Sequence, residues 1–144
     1  MNHKSRGVTV IELILIIALI AIVGTAATPF LSNFILRNNY ETTVDKVLSS
    51  LRKAQGYSMS GRNQSLWGVC LAAGNKIRLY RGSCATPAFS EDFDVPGSVA
   101  VSGLSDTTFS TLRGEPSGTL TITISTDIGI RTVSVNGAGM IGVD

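Results

Sequence analysis

Residues 8–27 constrain this chain more than any other stretch: they hold one ionisable side chain, Glu12, and residues 13–23 hold no polar side chain at all. About 20 residues of helix, each rising roughly 1.5 Å, reach about 30 Å, the hydrocarbon thickness of a bilayer. A helix that is apolar all round must be buried in lipid or among other apolar helices. The block also locates the excess in composition, since 44% apolar and 15% charged residues over 144 positions is high for a wholly soluble chain. What remains is enough for one domain.

Lys4 and Arg6 precede the block with no acidic residue beside them, so the positive-inside rule keeps the N-terminus cytoplasmic and exports the rest. These two charges account for the whole net charge of +2. A body with balanced charge lacks the general pull of a nucleic-acid binder.

A basic start and an apolar run fit a secretory signal peptide or a plain anchor. Gly24, Thr25, Ala26 and Ala27 offer small residues where a signal peptidase would cut. Glu12 argues against both, because a carboxylate inside an apolar helix is costly in lipid and serves neither role. Cutting after Gly7 would expose an α-amino group on Val8. The helix of a neighbouring copy, shifted along its axis, would bring that amine to Glu12. Such a pair adds little net stability but is costly to leave unpaired, so it sets register.

Lys4-Ser5-Arg6-Gly7 followed by Val8-Thr9-Val10-Ile11-Glu12-Leu13 resembles the prepilin peptidase site of type IV pilins and type II secretion pseudopilins. Val8 departs from the Phe or Met usual in that family. The resemblance implies scission between Gly7 and Val8, N-methylation of Val8, and residence in the bacterial inner membrane. It implies extraction by a membrane assembly platform and its ATPase into a filament of other pilins or pseudopilins, with the head periplasmic or on an extracellular filament.

Pro29 removes a backbone hydrogen bond and predicts a kink, after which Phe30, Leu31, Phe34 and Ile35 resume helical spacing. Val44, Val47, Leu48, Leu51 and Ala54 then form an amphipathic stripe, and Gly61 is a stop. The pattern predicts one long bent helix over about 9–58, membrane-spanning in its first half. Beyond it, Gly74-Asn75 marks a hairpin between 66–71 and 76–81. Further strands are expected at 99–102, 108–112, 119–125 and 130–135, with Leu120, Ile122 and Ile124 on a buried face. The expected fold is therefore α+β: leader 1–7, apolar helix 8–29, amphipathic helix 30–60 and an antiparallel β head 61–144, the lollipop of the pilin family. Phe109 to Gly118, Thr119-Leu120-Thr121-Ile122, Arg131-Thr132-Val133-Ser134-Val135 and Gly137 resemble the H-type pseudopilins and the FimT/FimU minor pilins.

Cys70 and Cys84 lie beyond the apolar block, where a disulfide persists if the compartment is oxidising. A two-residue turn at Gly74-Asn75 sets Cys70 opposite Leu79, and a straight strand carries Cys84 roughly 17 Å further on. A bond needs Cα atoms within about 7 Å, so it forms only if Gly82 and Ser83 turn the chain back.

The only histidine is His3, so a processed chain has no imidazole for a triad or a zinc site, and the expectation is a structural protein without catalysis. Glu91, Asp92 and Asp94 crowd a predicted loop before Pro96, where oxygen ligands hold calcium in other proteins. Their spacing fits no calcium loop, and a solvated acidic turn is the plainer reading. Lys76, Arg78 and Tyr80 share one strand face, a form taken by single-strand DNA platforms. FimT-like pilins that bind DNA use a basic tail, whereas residues 137–144 carry no Lys or Arg. In the competing class, a binding module, that face would meet DNA or an exported protein.

Overall fold

The structure, a computed structural model, describes residues 8–144, with the backbone alone at 26–30. The leader with Gly7 lies outside the described residues, as does the side chain of Pro29. Helix α1 runs Val10–Met59. Thr9 caps it: its Oγ1 accepts from the Glu12 N–H at 3.3 Å and its carbonyl from Leu13 N–H at 3.1 Å. The chain divides into two compact units, Met1–Ile35 and Leu36–Asp144. Among the described residues no helix is long and apolar enough to cross a membrane. The apolar part of α1 whose side chains are described, residues 10–25, covers about 24 Å of the roughly 30 Å a span requires.

The second unit is α+β. One face of α1 presents Tyr40, Val44, Val47, Leu51 and Ala54, all buried. The spacing alternates four and three residues, so these side chains stack on one stripe. Leu48 flanks the stripe, half-buried. A 3-10 turn, Arg62–Gln64, ends the helical region.

Two antiparallel four-stranded sheets follow, rather than the single sheet expected. The first has order β3-β2-β1-β5, built from β1 (Trp67–Ala72), β2 (Lys76–Arg81), β3 (Phe89–Asp94) and β5 (Thr107–Phe109). The second has order β4-β6-β7-β8, built from β4 (Ala100–Ser102), β6 (Leu120–Thr126), β7 (Gly129–Val135) and β8 (Ile141–Val143). Val69, Ile77, Leu79 and Phe109 of the first sheet and Leu120, Ile122, Ile124, Val133 and Val135 of the second join the helix stripe in one core. The expected alternation along β6 holds: Leu120, Ile122 and Ile124 are buried, and Thr121 and Thr123 between them face away.

Three local expectations are corrected. Ala72 pairs with Lys76, so the β1–β2 turn has three residues, Gly74 and Asn75 both at positive φ, and Cys70 sits opposite Arg78 rather than Leu79. The acidic segment before Pro96 is not a loop but strand β3, paired with β2 along its whole length. The strand expected at 108–112 stops at Phe109, because Gly114 N–H turns back onto Ser110 O at 3.1 Å and Leu112 adopts a φ of 70°.

Candidate assembly surfaces

Two surfaces stand out, one in each unit. In the first, every large apolar residue from Val8 to Val23 is between 51% and 77% exposed. Glu12 is the single charge among them and forms no ion pair among the described residues. It occupies the third position of the helix, after Thr9, where the unsatisfied N–H groups and the helix dipole favour a carboxylate. The Thr-x-x-Glu spacing is that of a capping box and gives Glu12 a local place at the helix start.

Lys76, Arg78 and Tyr80 do share a face of β2, but they do not form an open ligand platform. Arg78 forks onto Asp92 with two hydrogen bonds of 2.7 Å and also donates to Cys84 O at 3.2 Å. Those hydrogen bonds hold the Asp92 carboxyl below its ordinary range and raise the guanidinium. Lys76 pairs with Asp94 at 3.2 Å. Tyr80 is 1% exposed and donates to Asp106. Burial first, and that hydrogen bond second, push its phenol well above the ordinary value. Gly68 makes this packing feasible, since a Cβ there would lie 2.6 Å from Tyr80 Cζ and 2.7 Å from Thr107 O. The basic face is thus neutralised by the next strand and closed by packing.

The same pairing disposes of the calcium reading. Glu91 turns to the opposite face from Asp92 and Asp94 and meets Lys53 at 3.1 Å. Three acids on two sides of a strand, each beside a cation, do not converge on one ion, and among the described residues no metal-sized group of ligands forms.

Cys70 and Cys84 are disulfide-bonded, with Cα atoms 6.3 Å apart. After β2 the chain turns at Gly82, φ 93°, and residues 82–88 fold back until Ala88 N–H reaches Arg81 O at 3.0 Å. The glycine that left the bond undecided from sequence supplies this reversal.

The second surface is a cleft of about 210 Å³ at the end of α1. Trp67, Arg81 and Phe89 face one another across β1, β2 and β3. The Trp67 and Phe89 rings meet edge-on at 5.6 Å, and Tyr57 meets Trp67 at 4.8 Å. Arg62 lies over the Tyr57 ring at 4.3 Å, while its carbonyl accepts from the Trp67 indole N–H at 3.0 Å. Neither Arg62 nor Arg81 pairs with a carboxylate among the described residues. Glu91, at the wall, is engaged by Lys53. Nothing in the sequence pattern marks this cleft, because its parts come from the helix end, the 3-10 turn and three strands.

No protein-family model, curated protein or solved structure matches the chain.

Proposed function

We propose that this chain is a structural filament subunit, a minor pilin or pseudopilin of a type IV pilus or type II secretion pseudopilus. The observation that carries the reading is the all-round apolar surface at the start of α1 with its one carboxylate. An exposed apolar area of that extent calls for lipid or other apolar helices as its surroundings. In the proposal residues 8–29 span the bacterial inner membrane, with the N-terminus cytoplasmic, until the subunit is extracted. The sequence to Ala27 supplies the apolar length that residues 10–25 lack, and a bend at Pro29 lets the helix leave the bilayer axis.

Prepilin peptidase cuts between Gly7 and Val8 and the new Val8 amine is methylated. In the filament that amine meets Glu12 of an adjacent subunit. Before assembly, the helix dipole partly offsets the cost of the carboxylate. The head, tied together by its disulfide, is suited to an oxidising compartment. The binding-module alternative loses its named residues, because Lys76 and Arg78 are spent on Asp94 and Asp92.

The test is intact-mass and N-terminal peptide analysis of protein from cells with and without prepilin peptidase, together with incorporation of Glu12→Ala. A methylated Val8 terminus lost without the peptidase, and failure of Glu12→Ala to incorporate, are expected. A terminus near Thr28 would make the chain a secreted β domain and refute the filament role.

A further inference from the structure

We infer that heads of this chain associate head to tail, the β6–β7 hairpin tip of one copy entering the aromatic–arginine cleft of the next. The inference deepens the filament reading and rests on it for bringing many copies together.

The cleft defines its occupant by size and charge. A volume of about 210 Å³ is below the roughly 300 Å³ at which drug-sized ligand pockets begin, so it suits one or two side chains rather than a whole cofactor. Aromatic walls call for an apolar group. Two guanidiniums without carboxylate partners call for an anion. The turn that positions Arg62 is conformationally costly, with Asn63 and Gln64 both left-handed at φ 60° and 51°. Local strain of this kind persists where surrounding structure enforces it, and it clusters at binding sites.

The β6–β7 hairpin tip carries the matching chemistry in an exposed position. The two residues at the β6–β7 turn are Asp127 and Ile128. Asp127 is exposed and forms no ion pair among the described residues. Ile128 beside it is 46% exposed. The turn holds its shape, because Thr126 Oγ1 accepts from Ile128 N–H at 3.3 Å and donates to Gly129 O at 3.4 Å. An acid and a branched apolar side chain on a rigid turn complement the arginines and rings of the cleft.

Position excludes a chain filling its own cleft. The hairpin lies by the start of the head's helix: Arg131 pairs with Glu41 at 2.8 Å, and a Cβ on Gly129 would lie 4.0 Å from Tyr40 Oη. The cleft lies beside Tyr57. Seventeen helical residues separate Tyr40 from Tyr57, about 25 Å along the axis. Knob and hole thus occupy opposite ends of one helix in one compact unit. A contact between unlike patches is heterologous, and it propagates as an open assembly unless rotation closes a ring.

The experiment uses the full chain in mild detergent, as an isotope-labelled and unlabelled mixture, treated with a carbodiimide that joins lysine amines to carboxylates. In Arg62→Lys the expected product is a peptide pair linking position 62 of one copy to Asp127 of another. Introducing Asp127→Arg in that background should remove the link, and Arg81→Glu should lower its yield at least about tenfold, the equivalent of one lost charge pair. With the wild-type cleft, Asp127→Arg chains and chains carrying Arg62→Glu with Arg81→Glu each have one intact patch, so a mixture should form heterodimers and nothing longer. A link from position 62 to other acids only, or no link between copies, overturns the inference. So does retention of a fluorescent single-stranded oligonucleotide that depends on Arg62 and Arg81 while no Asp127 link forms, which would assign the cleft to nucleic acid. Val8 methylation and Glu12-dependent incorporation are read separately, so a properly processed, incorporated chain without the link refutes this contact and leaves the filament role standing.

Discussion

Arg78 and Asp92 meet across β2 and β3 as a two-pronged pair, Nε to Oδ1 and Nη2 to Oδ2, both at 2.7 Å. This geometry does two things in the fold. It seals the outer face of the first sheet, and it lets an acid-rich strand pair at an edge where bare main-chain groups would invite another strand.

A pH dependence follows from it. The hydrogen bonds from Arg78 lower the Asp92 pKa from its ordinary 3.8. The unfolded chain therefore takes up the proton first as pH falls. The contribution of the pair is complete well above 3.8, shrinks below it, and is gone beneath the folded-state value. Urea unfolding of wild type and Asp92→Asn from neutral to strongly acidic pH should show the variant less stable at neutral pH, with the difference closing below 3.8. A difference independent of pH would remove the ionised carboxylate from this account.

The disulfide encloses a short loop, with a sequence separation of 14 between Cys70 and Cys84. Closing a loop of this length restricts the unfolded chain and contributes about 3 kcal/mol in the chain-entropy model. The double variant Cys70→Ala with Cys84→Ala should lose about that much, and reduction of wild type should lower its stability in the same direction. Hydrogen exchange should also show the Ala88 to Arg81 backbone bond opening, since residues 82–88 lose their tether. An unchanged urea midpoint on reduction would contradict the prediction.

Ser50 faces the core on α1, fully buried, and its hydroxyl has no hydrogen-bond partner among the described residues. Its buried polar neighbours are satisfied: Thr43 donates to Asn39 O at 2.8 Å, and Ser58 accepts from Trp67 N–H at 3.0 Å. A stranded hydroxyl costs about 1–3 kcal/mol. Ser50→Ala removes that cost and improves helix propensity, so the expected result is a gain of about 1 kcal/mol in urea unfolding. A loss of stability would mean that the hydroxyl is satisfied in solution.

The parts of this fold that were legible in sequence are those whose signal is local. The three-four spacing of Val44, Val47, Leu51 and Ala54 and the alternation of Leu120, Ile122 and Ile124 each report burial within one element. Strand β3 was hidden because its sequence, Phe-Ser-Glu-Asp-Phe-Asp, is poor in β-formers. Its pairing rests on cations that β2 and α1 supply. Strand β8 leaves no mark in the sequence because three residues are too short for a pattern. The hairpin register slipped by one because Ala73 joins the turn, and a one-residue slip changes every cross-strand partner. The disulfide depended on a reversal whose existence no single glycine decides. The cleft was invisible because Tyr57, Arg62, Arg81 and Phe89 converge only after three strands have paired.

Gln55 joins two distant turns to the helix. Its side-chain amide donates to Gly114 O at 3.0 Å and to Gly139 O at 2.7 Å. Both turns are conformationally demanding, with Gly114 at φ 68° and Gly139 at φ 82°. Each turn also has bonds of its own, among them Gly114 N–H to Ser110 O at 3.1 Å and Gly139 N–H to Asn136 O at 2.9 Å. Gln55→Ala leaves two sheltered carbonyls without their donor, at a cost of about 1–3 kcal/mol. The loss should be local before it is global, because the core beneath is unchanged. Hydrogen exchange should quicken at Gly114 and Gly139 while the amides of Ile122 and Val133, in paired central strands, keep their protection relative to global stability. Equal quickening throughout the second sheet would mean instead that Gln55 supports the core itself, and that these turns open only when the whole head unfolds.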